Sequence, residues 1–367
     1  MERVNRKIKR IGILTGGGDC PGLNAVIRAA GKAAFRLGWE IIGLMNGFDG
    51  LLFKHLAKKL HPSNVSGILN VGGTILGSTN RGNPFSYPVK IGRGVVIKDI
   101  SDKVVKRYHE LGLDALIVIG GDGTLKIAND FIKKGLKIVG IPKTIDNDIN
   151  GTVITFGYDS AVSTATDAID KLHTTAESHQ RTMVVEVMGR YAGWIALNSG
   201  VAGGADIILI PEIPFDIDAV CEKVMERYNS KKNFCIVVVA EGAAKKGGKM
   251  FTKNHDSKGR TEVLLGGVAE FVASEISRIT GKETRSLVLG HLQRGGHPTT
   301  FDRLLGTRYG AKSVELIKDK KFGCMVSSLP PDITCIPISE AVSKLKLVPI
   351  NSDTIVAAKL IGISFGE

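Results

Sequence analysis

Short apolar runs alternate with segments of helical period along most of the chain. Ile11–Thr15 is a compact apolar run that ends in glycines, the pattern of a buried strand. Leu23–Leu37 spaces its apolar residues for a helix, and Trp39–Met45 returns to a strand. The alternation then predicts a helix over Asp102–Leu111, a strand at Ala115–Ile119, a helix after Gly123 and a strand over Leu136–Ile141. A second series opens near Gly157 with a long helix to about Glu177 and a strand over Thr182–Val187. It continues as helix Tyr191–Val201, strand Asp206–Ile210, helix Ile217–Tyr228 and strand Phe234–Ala240, then helix Val263–Ile279 and strand Ser286–Leu289. Such alternation predicts an α/β chain of two doubly wound domains with mainly parallel sheets and helices on both faces.

With 367 residues the chain is long enough for two substantial cores. The formal net charge of +13 raises the question of nucleic acid. Aromatic content is only 6% and no nucleic-acid module stands out, so the charge reads as a lysine-rich surface plus arginines that hold anionic metabolites. The five cysteines are scattered and lack metal-ligand spacing, which favours a reducing compartment. No apolar run has the length of a membrane span, and the basic N-terminus leads straight into the first strand. The expectation is a cytoplasmic enzyme with neither membrane nor nucleic-acid partners.

The candidate chemistry lies just past the predicted strands. Gly16–Gly22 (GGGDCPG) joins the first strand to the first helix, where backbone amides and the helix N-terminus favour phosphate. Pro21 breaks the dinucleotide pattern, and no P-loop run occurs. Gly72–Thr74 and Gly120–Thr124 (GGDGT) add two more glycine–hydroxyl loops. Pro142–Asp148 (PKTIDND) follows the next strand. Ligands bind beyond the carboxyl ends of parallel strands, and amides, metal-holding carboxylates and a carboxylate base in one crevice suit phosphoryl transfer.

These runs carry a resemblance. From Ile11 to about Gly310 the chain resembles a 6-phosphofructokinase, through Thr15–Asn24, Gly72–Gly77, Gly120–Thr124, Thr144–Asp148, Ser178–Arg181 (SHQR), Glu186–Gly193 (EVMGRYAG), Glu241–Gly242 and Gly290–Gly296 (GHLQRGG) in the family's order. The resemblance implies transfer of a γ-phosphoryl group to the 1-hydroxyl of fructose 6-phosphate in a cleft between the domains. It implies a larger donor-binding domain of residues 1–157 plus about 293–343, and a smaller sugar-binding domain of about 158–292 plus 344–367. Asp146 matches the catalytic carboxylate, with Thr144 beside it and Gly17 offering its amide to the transferring group. Asp122 and Asp148 match acids that hold Mg²⁺ directly or through water. Gly121, Gly123, Thr124, Lys143 and, after a one-residue insertion, Arg81 match donor contacts. Arg181, Arg285, His291 and Arg294 match ligands of the 6-phosphate, while Met188, Gly189, Arg190 and Glu241 match positions that contact the sugar. In the family, the arginines matching Arg181 and Arg285 come from a neighbouring subunit, so a homotetramer is implied.

The donor is implied less directly. Gly123 is the residue of ATP users, Lys143 that of pyrophosphate users, and Ile127 replaces a glycine of many ATP enzymes. An acid near the α-phosphate is the stronger exclusion, so ATP is expected and pyrophosphate is the alternative. Lipid and NAD kinases also carry a GGDGT loop, but Arg181, Met188–Arg190 and His291–Arg294 would be purposeless there. A non-catalytic or nucleic-acid-binding role is opposed by the intact Asp146, Asp122 and Arg190.

Overall fold

The computed structural model describes residues 8–79, 82–92, 94–230, 232–252 and 265–367. The chain opens with β1 (Arg10–Thr15), α1 (Leu23–Arg36), β2 (Glu40–Leu44), α2 (Asp49–Leu52) and β3 (Ala57–Leu60). The hairpin of β4 (Tyr87–Ile91) and β5 (Gly94–Lys98) leads to α3 (Ser101–Glu110), β6 (Ala115–Gly120), α4 (Asp122–Lys133) and β7 (Ile138–Pro142). Next come α5 (Tyr158–His179), β8 (Thr182–Val187), α6 (Trp194–Ala202), β9 (Ile207–Leu209), α7 (Ile217–Asn229), β10 (Cys235–Ala240), α8 (Val268–Thr280) and β11 (Thr284–Val288). The chain ends with α9 (Thr300–Lys318), β12 (Cys324–Leu329), β13 (Asp332–Pro337), α10 (Ile338–Ala341) and α11 (Asp353–Leu360).

The strands form two mainly parallel sheets and the separate hairpin. The seven-stranded sheet has the order β13-β12-β7-β6-β1-β2-β3, with β3 and β13 antiparallel at its edges. The four-stranded sheet has the order β11-β8-β10-β9, and all its pairings are parallel. The α/β expectation is therefore met. The predicted elements are present with shifted ends. The helix expected from Tyr191 begins at Trp194, and that expected from Val263 is described from Val268, Val263 itself lying outside the described residues.

Near-continuous apolar strands such as β6 and β10 are buried along their whole length, as strands covered on both faces must be. One core cluster holds Ile11, Ile117 and Val139 of the large sheet together with Val185, Ile208 and Ile236 of the small one, so the two sheets share a continuous interior. Helix α9, absent from the predicted elements, lies close against α1. A Cβ at Gly310 would lie 2.4 Å from Val26 O and 2.9 Å from Ala29 Cβ, so only glycine permits this approach.

In each sheet the topology marks a crevice. The chain leaves β1 toward β2 on one side, and β6 returns on the other. The carboxyl ends of β1, β6 and β7 thus present Gly16–Gly18, Gly121–Thr124 and Lys143–Asp148 together. In the small sheet, β8, β10 and β11 deliver Met188–Arg190, Glu241 and His291 at their carboxyl ends.

Candidate active site

The donor side is built from glycines that let loops pack tightly. A Cβ at Gly16 or Gly120 would lie within 3 Å of the Thr124 side chain, so both must be glycine for Thr124 to be buried there. Helix α4 begins at Asp122, two residues earlier than the sequence suggests, which puts Asp122, Gly123 and Thr124 in its first turn. Their amides belong to the turn whose N–H groups lack helical partners. Gly123 is exposed, and a Cβ there would meet no atom within 4 Å. Asp122 Oδ2 accepts from Lys126 Nζ at 2.7 Å along the helix.

The Gly17 amide departs from expectation. It donates to Thr79 O at 3.1 Å and so is engaged within the protein in this conformation. It can serve a phosphoryl group only once the Thr79 carbonyl has moved. Arg81, also expected here, lies outside the described residues.

Lys143 is 3% exposed, and its ammonium donates to Gly18 O. Burial, with a contribution from the nearby Arg294 charge, lowers its pKa to about 8. Arg294 in turn donates from Nη1 to Asp19 O at 3.2 Å, over the same glycine loop. Two cations therefore converge on Gly17–Asp19, a suitable floor for an anion. Ile127 is half-buried against the core, on the body of α4.

The candidate catalytic loop follows β7. The Asp146 amide donates to Thr144 Oγ1 at 3.1 Å, and the Thr144 hydroxyl also bonds the Asp148 carboxylate. Burial, then the negative charges of Asp146 and Asp122, push Asp148 up to about 7. These carboxylates are thus neighbours. Among the described residues no three acids, histidines or cysteines form a ready metal cage. An oxygen-rich cluster nevertheless fits Mg²⁺, which keeps several waters and bridges to substrate phosphates instead of needing a full protein cage. Asp122 and Asp148 are the residues that would hold it.

The sugar side comes from the small sheet. Glu241 is raised to about 7, first by burial and then by the Asp146 charge, with Arg190 and Arg294 pulling the other way. The charges of Asp146, Arg190 and Arg294 are therefore all near enough to act on Glu241. A Cβ at Gly242 would lie 1.8 Å from Arg190 O, so the loop after β10 fixes the Arg190 backbone through glycine. Gly189 adopts φ 140, a conformation that admits little else. The Met188 amide donates to Gln293 Oε1 at 3.3 Å, and Gln293 is fully buried, joining the β8 end to the His291–Arg294 turn. His291 is exposed and not a core residue.

Arg181 and Arg285 do not join this constellation. Arg181 precedes β8 and Arg285 pairs with Met183, both at the amino end of the sheet. Arg190 lies past the carboxyl end of the same six-residue strand, roughly 20 Å away at ~3.3 Å per residue. The two arginines instead share Glu283, at 3.0 and 2.8 Å from its Oε1, on the open surface.

The sequence pattern does not single out Asn147, Thr155 and Lys346 as site residues, yet they brace the candidate catalytic loop. Asn147 is buried at φ 52, and its Oδ1 accepts from the Thr155 amide at 3.1 Å and from Lys346 Nζ at 2.8 Å. Thr155 Oγ1 donates to Thr144 O at 2.7 Å. An asparagine between two acids was the one available signal, since Asn is among the few residues that visit the left-handed region.

Residues 10–317 match the family described as Phosphofructokinase. The chain is 50% identical over 361 residues to an ATP-dependent 6-phosphofructokinase of Chloroflexus aurantiacus, covering 98% of this chain and 99% of that one. It is also 50% identical, over 345 residues, to a pyrophosphate–fructose 6-phosphate 1-phosphotransferase of Amycolatopsis mediterranei, covering 93% and 96% of the two chains. Among solved structures, Pichia pastoris phosphofructokinase in the T-state superposes with a TM-score of 0.80 at 31% identity, over 99% of this chain and 37% of that longer one. The loops that meet at the cleft lie within that matched span, and the chain belongs to the phosphofructokinase family.

Proposed function

We propose that the chain transfers the γ-phosphoryl group of ATP to the 1-hydroxyl of fructose 6-phosphate, giving fructose 1,6-bisphosphate and ADP, as a cytoplasmic enzyme of glycolysis. The observation that carries this reading is the convergence of Asp146 with Arg190, Arg294 and Glu241 on one side and the α4 N-terminus on the other. The sugar hydroxyl oxygen forms a bond to the γ-phosphorus as the bond from that phosphorus to the ADP oxygen breaks. The hydroxyl proton passes to the Asp146 carboxylate, a positioned base. Arg294 and Lys143 offset the phosphate charge, and Arg190 and Glu241 orient the sugar. When bound at Asp122 and Asp148, Mg²⁺ would neutralise the charge of the donor phosphates.

Overall similarity does not choose the donor, since relatives named for ATP and for pyrophosphate are equally identical. The open space around Gly123 favours ATP, because a nucleotide's α-phosphate meets no side chain there. A coupled assay with fructose 6-phosphate and Mg²⁺, run with ATP and with pyrophosphate in parallel, tests the reading. Turnover with ATP is expected; turnover with pyrophosphate alone would assign the chain to the other donor.

Lys143 supplies a pH signature. Its ammonium attracts donor phosphate only while protonated, and its pKa is about 8. The kcat/KM for the donor is therefore expected to hold below pH 8 and to fall as pH rises through that value. In Lys143→Met the profile should be lower throughout and lack that limb. A limb unchanged in the variant would remove Lys143 from donor binding.

The proposal includes a homotetramer. Arg181 and Arg285 lie at the opposite end of the small sheet from their own chain's Arg190 and are held by a surface carboxylate, an ion pair of little worth and easily exchanged for a phosphate dianion. Toward its other end the same edge strand β11 exposes Leu287 at 38% and Val288 at 50%, and Leu292 beyond it is 69% exposed. An apolar sheet edge flanked by two arginines suits a second copy of the chain, whose sugar-phosphate site the arginines would complete.

A further inference from the structure

The segment Leu345–Val348 contributes nothing to the phosphate or sugar loops, yet it touches both sides of the cleft. Leu345 bridges Ile149 in antiparallel fashion, and the Lys346 amide donates to Asp148 O at 2.8 Å. On the other side, Lys346 O accepts from Trp194 Nε1 at 2.9 Å. The Val348 amide donates to Glu212 Oε1 at 2.8 Å, and the Glu212 carboxylate also accepts from the Gly193 amide at 3.1 Å. One extended strap thus ties the Asp146–Asp148 turn to Gly193–Trp194, a few residues beyond Arg190.

The Lys346 side chain turns inward from this strap. Its ammonium donates to Asn147 Oδ1 at 2.8 Å, to Thr152 O at 2.9 Å and to Val153 O at 2.8 Å, which uses all three of its protons. The Trp194 ring centroid lies 5.6 Å from the same nitrogen, within cation–π range. A lysine so engaged is not presented to a ligand. What it holds is Asn147, a non-glycine residue at positive φ between the two candidate acids. Such a conformation persists only where the surroundings over-determine it.

We propose that Lys346 is a positioning residue for phosphoryl transfer: it locks the Asn147 turn, and so fixes Asp146 and Asp148 relative to each other and to the Arg190 loop. The proposal rests on the reading of the chain as a fructose 6-phosphate kinase with Asp146 as base. It concerns the geometry of the turnover step and not the affinity for either substrate.

The test is steady-state kinetics of Lys346→Met, Asn147→Gly and the double variant. Glycine accepts the positive φ but removes the acceptor that the ammonium grips. Lys346→Met is expected to lower kcat on the order of 10²-fold, the cost of a misplacement of about 1 Å, while both KM values stay within about threefold. The double variant is expected to be no worse than the poorer single one, because both changes release the same turn. An unchanged kcat in Lys346→Met, or single losses that multiply in the double variant, would overturn the proposal. If Lys346→Met does not fold, Asn147→Gly alone decides: a lowered kcat with retained KM supports the lock, and an unchanged kcat refutes it. A wild-type chain inactive toward fructose 6-phosphate would instead overturn the kinase reading, a result separate from any of these.

Discussion

Asp146→Ser should lower kcat by about 10²–10⁴-fold, the contribution of a positioned general base, and leave the fructose 6-phosphate affinity close to that of the wild type. The split follows from the geometry. Asp146 sits where the charges of both sides meet, raising Asp148 on the donor side and Glu241 on the sugar side. The cationic groups matched to the sugar and to its phosphate, Arg190 and Arg294 among them, are separate side chains and stay intact. Serine is smaller and cannot accept the proton at neutral pH. It also relieves the like-charge repulsion on its neighbours, so the variant should fold at least as well. Measured kcat and a substrate dissociation constant from titration give the two readouts. Near-normal turnover would exclude Asp146 as the base.

The same variant probes assembly. Arg285→Ala removes a residue that the strand geometry keeps away from its own cleft. If the arginine serves a neighbour, each variant alone should be nearly inactive. Chains of both kinds refolded together should then regain about a quarter of wild-type activity, since half of the randomly formed pairs are mixed and each mixed pair restores one of its two sites. No recovery, with Arg285→Ala active by itself, would make the arginine a surface residue.

Much of the fold was legible because its signals are local. Strands such as Ala115–Gly120 and Cys235–Ala240 are uniformly apolar and end at glycines or acids, so pattern and punctuation agree. Helix α9 was not legible. Its glycines at 306 and 310 serve close contact with α1, at a cost of about 1 kcal/mol each in helix propensity, and Asp302 and Ser313 are buried within it. Asp302 Oδ2 accepts from the Ser160 amide and hydroxyl at 2.8 and 2.6 Å, partners 142 positions away that periodicity cannot reveal. The hairpin of β12 and β13 was missed because β13 lies half-exposed at the sheet edge and lacks a continuous apolar run.

The site divides along the same line. The loops after β6, β7, β8 and β10 follow strands whose apolar runs are legible, because each loop is positioned by one strand end. Lys346 escapes such reading. It lies 199 positions from the Asn147 oxygen it binds, in a segment without regular structure, and one lysine among many carries no signal of burial. The Gly17 amide shows the converse. A glycine-rich loop announces donors, but whether a given donor is already taken by a carbonyl such as that of Thr79 depends on a loop far along the chain.

Gly123→Asp should lower kcat/KM for ATP by about 10²-fold or more without lowering the melting temperature. Gly123 is exposed in the first turn of α4, and a Cβ there enters open space. The fold therefore has no need of glycine at this position. Replacing it removes a backbone-entropy cost of about 1 kcal/mol, and an acid in the first turn interacts favourably with the helix dipole. Against a bound nucleotide the sign reverses. A carboxylate about 5 Å from a phosphate charge at an effective dielectric near 20 costs about 3 kcal/mol, which is about 10²-fold. Pyrophosphate has no α-phosphate to meet that carboxylate, so its use should suffer less and the donor ratio should shift toward it. Thermal melting separates the two effects, because a variant that is stable yet poor with ATP cannot owe its loss to misfolding. An unaltered ATP efficiency would mean that the donor does not approach the α4 N-terminus, and the choice of donor would then pass to Lys143.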